Sequence, residues 1–74
     1  MYLYGGDYLK ADIKKLKLCM ANKCMNTEDL CKATKMPRPT VNNVISGRSV
    51  RPATIGRIAK ALGVDVKDIL SEED

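Results

Sequence analysis

The stretch that decides the fold is Met25–Gly47, MNTEDLCKATKMPRPTVNNVISG. It holds two short helical patterns separated by a proline-marked corner. Asn26 is a good N-cap, and Glu28 and Asp29 in the turn that follows suit the positive end of a helix dipole. Leu30 and Ala33 are expected to face inward. Pro37 disfavours a helical conformation at Met36, so this first helix should stop by Lys35. A second pattern starts at Arg38. Pro39 is tolerated in its first turn, where its missing N–H would lack an intrahelical partner anyway. Val41, Val44 and Ile45 then recur at helical spacing as a buried stripe, and Gly47 is the expected stop.

Outward from this core the chain reads as more of the same. On the N-terminal side, Leu9, Ile13, Leu16 and Met20 form one helical stripe, which predicts a helix from Asp7 to about Asn22. On the C-terminal side, Ser49–Pro52 reads as a loop. Ile55, Ile58, Ala59 and Leu62 make a fourth amphipathic helix closed by Gly63, and Asp65 caps a short fifth one carrying Val66, Ile69 and Leu70. The expectation is an all-α, five-helix bundle. Its domain would span residues 7–70, after an arm over 1–6 bearing Tyr2 and Tyr4 and before an acidic tail over 71–74.

Composition narrows the function classes. A chain of 74 residues with 45% hydrophobic residues has room for one domain. No apolar run is long enough to span a membrane, and no secretory leader is recognisable at Met1–Tyr4, so a cytoplasmic protein is expected. Cys19, Cys24 and Cys31 stand without any histidine. Their spacing lacks the tight Cys-x-x-Cys pair of zinc sites, which predicts free thiols and no metal cofactor. With no histidine, no phosphate loop and no paired carboxylates in an apolar setting, an enzyme is not expected.

Charge is unevenly placed. Between Leu30 and Val64 lie seven basic residues (Lys32, Lys35, Arg38, Arg48, Arg51, Arg57 and Lys60) and no acidic one, whereas the rest of the chain is net acidic. Such a block is either a solvated face or the footprint of a polyanion-binding surface. Two helices joined by a corner as short as Met36-Pro37 make a helix-turn-helix. The outward face of the second would carry Arg38, Pro39, Asn42 and Asn43. Arginine can bond guanine in bidentate fashion and asparagine can do the same with adenine, while Pro39 offers only apolar contact.

The stretch from about Leu16 to Leu70 resembles the lambdoid phage repressor and Cro (XRE-type) helix-turn-helix family. The matching signatures are Met25–Leu30, Thr40–Val44, Gly47-Arg48, Arg51-Pro52 and the run IAKALGVDVKDIL from Ile58 to Leu70. The resemblance implies a lambda repressor-like fold encoded by a bacterium, phage or mobile element. It also implies double-stranded DNA as partner, base contacts from Arg38, Pro39 and Asn43, a phosphate or base-edge contact from Thr40, and phosphate contacts from Asn26, Thr27, Ser46, Arg48 and Arg51. The chain departs from the family pattern at Thr27 and Ser46, usually glutamine and asparagine, and at Pro37, usually a capping Ser or Thr. It departs also at Met20 and Ile45, where an arginine–glutamate pair is common.

The function expected from these readings is a sequence-specific transcriptional regulator, a repressor, acting as a homodimer without cofactor or small-molecule substrate. Leu62–Val66 and the tyrosine arm are the candidate dimer surfaces. The alternative is a protein-interaction module on the same fold, an antitoxin or adaptor with weak DNA binding.

Overall fold

The computed structural model describes residues 8–71. Four α-helices follow one another: α1 (Ile13–Asn22), α2 (Thr27–Thr34), α3 (Arg38–Ile45) and α4 (Pro52–Leu62). A single 3-10 turn over Val66–Asp68 replaces the expected fifth helix. The reason lies in the hydrogen bonds around it. Asp65 caps the turn and Asp68 returns a carboxylate to the Asp65 N–H, but the carbonyl of Ile69 is taken by the Asp12 N–H at 2.8 Å. The Ser71 N–H then donates to the Lys10 carbonyl at the same distance, which pulls the chain out of helical register.

Those bonds also correct the start of α1. The expected cap, Asp7, lies outside the described residues, as do the tyrosines of the arm and the tail beyond Ser71. The helix itself begins at Ile13, and Asp12 is the cap, its carboxylate accepting from the Lys15 N–H at 3.0 Å. Residues 8–12 are extended. Leu9 and Val50 exchange both backbone hydrogen bonds at 2.8 Å, and Ala11 forms a second isolated antiparallel bridge with Leu70. Burial alternates accordingly: Tyr8 and Lys10 are exposed, Leu9 is half-buried and Ala11 is buried. This period of two is a strand pattern. The segment thus straps the α3–α4 loop to the C-terminal end of the domain.

The core draws on all four helices. Leu16 and Met20 come from α1, Leu30 from α2, Val41 and Val44 from α3, and Ile55, Ile58, Ala59 and Leu62 from α4, with Ile69 closing the far end. Truncating one of the larger of these side chains to alanine costs about 2–5 kcal/mol, a large share of the stability of so small a domain. Met25, Cys31, Met36 and Ile45 pack against this core half-buried. The inward partner of Leu30 on α2 is Thr34, not Ala33, which is exposed. With about 3.6 residues per turn, the fourth residue on from Leu30 lies nearer its direction than the third. The Thr34 hydroxyl meets its burial by donating to the Leu30 carbonyl at 2.7 Å.

All four helices end in the same way. The residue after the last turn is left-handed at Cys24 (φ 56°), Lys35 (φ 59°), Gly47 (φ 81°) and Gly63 (φ 70°). In each case the next amide reaches back across the turn: Met25 to Met20, Met36 to Cys31, Arg48 to Asn43 and Val64 to Ala59. These closures satisfy carbonyls that a helix end leaves orphaned and let the short helices turn sharply without long connections.

Candidate nucleic-acid interface

Helix α3 is held by Val41 and Val44, both fully buried, and this fixes which residues face out. Arg38, Pro39, Asn42 and Asn43 are all exposed on its other side, as the sequence pattern predicts, while Thr40 is half-buried at its flank. Pro37 occupies the N-cap in extended conformation and supplies no side-chain hydrogen bond. Thr40 and Val41 both donate their N–H groups to the Pro37 carbonyl, and Pro39 has no N–H. The first turn of α3 therefore has little backbone to offer a ligand, and contact there falls to side chains.

Two further sets of residues flank this face. After α3, Ser46, Arg48 and Arg51 are exposed, with Arg51 at the N-cap of α4. At the start of α2, Asn26 and Asp29 form a reciprocal capping box. The Asp29 N–H donates to Asn26 Oδ1 at 2.8 Å, and the Asn26 N–H donates to the Asp29 carboxylate at 3.1 Å. The Asn26 side-chain oxygen and backbone N–H are thus already engaged, and the side-chain N–H donors are what Asn26 has left for a phosphate. Among the described residues, the side chains of Asn42, Asn43, Arg48 and Arg51 make no hydrogen bond or ion pair to the protein.

Arg38 differs from them. Its Nη2 lies 3.6 Å from the Glu28 carboxylate, with both side chains more than half exposed. A cation at the first position of a helix sits at the positive end of the dipole, which is unfavourable, and the acid across the corner offsets it. The sequence reading treats Glu28 only as a first-turn acid of α2. No local spacing signals its pairing, because the two residues meet only once α2 and α3 are folded against each other.

The Cro/C1-type HTH DNA-binding domain family matches residues 15–74, which is most of the chain. The chain belongs to that family. Among solved structures the Cro/C1-type domain is similar to the transcriptional regulator VanUg, at 20% sequence identity and a TM-score of 0.72, over 96% of this chain and 93% of that one. At that identity the likeness concerns the fold. No match to a curated protein is found.

Six of the seven residues in the basic block of this Cro/C1-type domain, all but exposed Lys32, fall into two groups. Arg38, Arg48 and Arg51 stand at α3 and the loop after it, whereas Lys35, Arg57 and Lys60 rim a shallow groove between the end of α2 and α4. None of the residues expected to contact bases or phosphates lines that groove. Met20 and Ile45, where the family often carries an ion pair, are buried and half-buried apolar residues here, a replacement that a core tolerates well. Cys19, Cys24 and Cys31 are free thiols, and the described residues contain no cluster of His, Cys, Asp or Glu able to hold a metal. No helix among them is long and apolar enough to cross a membrane. Leu62, at one expected dimer surface, is used by the core, and the apolar residues left there are half-buried Val64 and Val66, beside exposed Gly63 and Asp65.

Proposed function

We propose that the protein is a sequence-specific transcriptional regulator, a repressor, that inserts α3 in the major groove and performs no catalysis. The observation that carries this reading is the exposed face of α3. There Arg38, Asn42 and Asn43 project together from a helix pinned by Val41 and Val44, next to Arg48 and Arg51. A helix of about 10–12 Å diameter fits the major groove, and these side chains are the types that bond guanine and adenine edges. Arg38, Pro39, Thr40, Asn42 and Asn43 then meet bases. Asn26, Thr27, Ser46, Arg48 and Arg51 meet phosphates and set the register, since phosphate contacts position while base contacts specify.

One such domain covers only a few base pairs. A homodimer on a two-fold site, with half-sites about one helical turn apart, supplies the remaining specificity. The test is selection of random and genomic DNA fragments by the purified protein at about 0.15 M salt, near the physiological range, followed by sequencing. An enriched two-fold motif supports a dimeric regulator. Binding without enrichment that disappears as salt rises would leave only the basic surface at work. The second reading, a protein-interaction module such as an antitoxin or adaptor, then takes over. It is favoured by the two carboxylates, Glu28 and Asp29, at the helix start where a phosphate is expected.

A further inference from the structure

We propose that Glu28 is a positioning residue for base recognition: it holds the Arg38 guanidinium through one edge and leaves the other for guanine. The inference rests on the reading of α3 as the recognition helix. Its basis is the 3.6 Å approach of Arg38 Nη2 to the Glu28 carboxylate, the sole ion pair seen at this face among the described residues. Guanidinium carries five N–H donors in a planar fork, so engaging one terminal nitrogen leaves enough for a bidentate contact to guanine O6 and N7.

Glu28 is well placed for the task. It sits in the first turn of α2, whose start is fixed by the Asn26–Asp29 capping box, while Arg38 sits in the first turn of α3. Both residues stand on helical backbone, so the pair limits the rotamers of a long side chain that is otherwise more than half exposed. On non-specific DNA an unrestrained arginine takes any nearby phosphate oxygen. Pinned by Glu28, Arg38 contributes little there, and the carboxylate itself repels phosphates. On a site with guanine in register, the pair persists and the free edge of the fork is used. Glu28 thereby lowers non-specific affinity more than specific affinity.

The pair is exposed and longer than a hydrogen bond, so its effect is modest. Glu28→Gln should tighten binding to non-specific DNA. It should also reduce the ratio of specific to non-specific affinity about two- to fivefold, the range open to an exposed ion pair. The experiment measures this ratio by fluorescence anisotropy on a selected site, on that site with the contacted guanine replaced, and on non-specific duplex. It does so for the parent, Glu28→Gln, Arg38→Gln and the double variant, after circular dichroism has shown each to be folded. Dependence on Arg38 is the decisive readout: in the Arg38→Gln background, adding Glu28→Gln should leave the ratio unchanged.

A ratio that stays constant in Glu28→Gln, or one that falls equally with Arg38 already removed, overturns the proposal and leaves α3 as the recognition helix. An unchanged ratio in Arg38→Gln alone also overturns this inference but passes base reading to Asn42 and Asn43, whereas failure to select any site defeats the parent reading and this inference together.

Discussion

Gly47 and Ile13 meet where the end of α3 passes under the start of α1: a β-carbon on Gly47 would stand 3.1 Å from both Cγ1 and Cδ1 of Ile13. Two separate constraints therefore act on Gly47. One is its left-handed backbone (φ 81°), which closes α3 and starts the turn to Arg48, and the other is the room left by Ile13. Ile13 is 42% exposed, so its side chain has space to swing away. The backbone term dominates for that reason. Gly47→Ala is expected to destabilise the domain by about 1–2 kcal/mol, measured by urea denaturation. Adding Ile13→Ala should recover only a minor part. Full recovery would mean that crowding, not backbone strain, was the cause.

Two of the four left-handed helix ends carry the wrong residue for their conformation. Cys24 and Lys35 hold positive φ with a β-carbon present, and Cys24 and Lys35 are both exposed, so little packing is lost on truncation. Glycine adopts this conformation without steric penalty but loses more chain entropy on folding. The first effect outweighs the second in the left-handed region. Cys24→Gly and Lys35→Gly should each raise stability by about 0.5–1 kcal/mol, seen as a higher urea midpoint at unchanged slope. The gains should add, because the two positions close different helices.

These same ends explain how far the sequence could be read. Gly47 and Gly63 advertise the close of α3 and α4, and Asn26 and Pro37 mark the starts of α2 and α3, so the central helices fall where the pattern puts them. The first and last segments escaped because their bonds are non-local. Leu9 continues the helical spacing of Ile13 and Leu16, and one buried alanine off that stripe, Ala11, is too weak a signal to override it. Only their pairing with Val50 and Leu70 selects the extended form. A helical reading of Val66–Leu70 fails for the same reason. At the interface, exposure of Arg38, Asn42 and Asn43 follows from the valine stripe alone. The partnership of Arg38 with Glu28 does not, since it depends on how α2 and α3 dock.

The N-caps give a contrast between a single bond and a reciprocal pair. Asp12 accepts one amide hydrogen bond, from Lys15, and Asp12→Ala should cost about 1 kcal/mol. Its effect is confined to α1, because the bond from the Asp12 N–H to Ile69 survives the substitution. At α2 the box joins Asn26 and Asp29 through two bonds. Asn26→Ala should again cost about 1 kcal/mol and Asp29→Ala somewhat more, because it also loses a favourable charge at the helix start. The double variant should cost less than the two combined, since removing either partner already unlocks the other. Thermal unfolding of the four proteins measures the coupling, and strict additivity would mean that the two bonds act independently.

Arg38 and Arg48 separate base reading from phosphate attraction. Both are exposed cations beside α3, but Arg38 projects from its first turn whereas Arg48 lies in the loop beyond Gly47. Counterion release makes a phosphate contact visible as salt dependence. Arg48→Ala should therefore weaken binding to selected and unrelated duplexes alike and lower the slope of log affinity against log salt by about one. Arg38→Ala should cost about 1–3 kcal/mol on the selected site and relax the preference for one base pair. It should change unrelated duplex less, because in the proposed pairing Glu28 offsets part of that charge. A salt series of anisotropy titrations on both duplexes resolves the two behaviours. If Arg38→Ala instead lowers affinity uniformly and shifts the salt slope as Arg48→Ala does, Arg38 is a phosphate contact, and the reading of bases passes to Asn42 and Asn43.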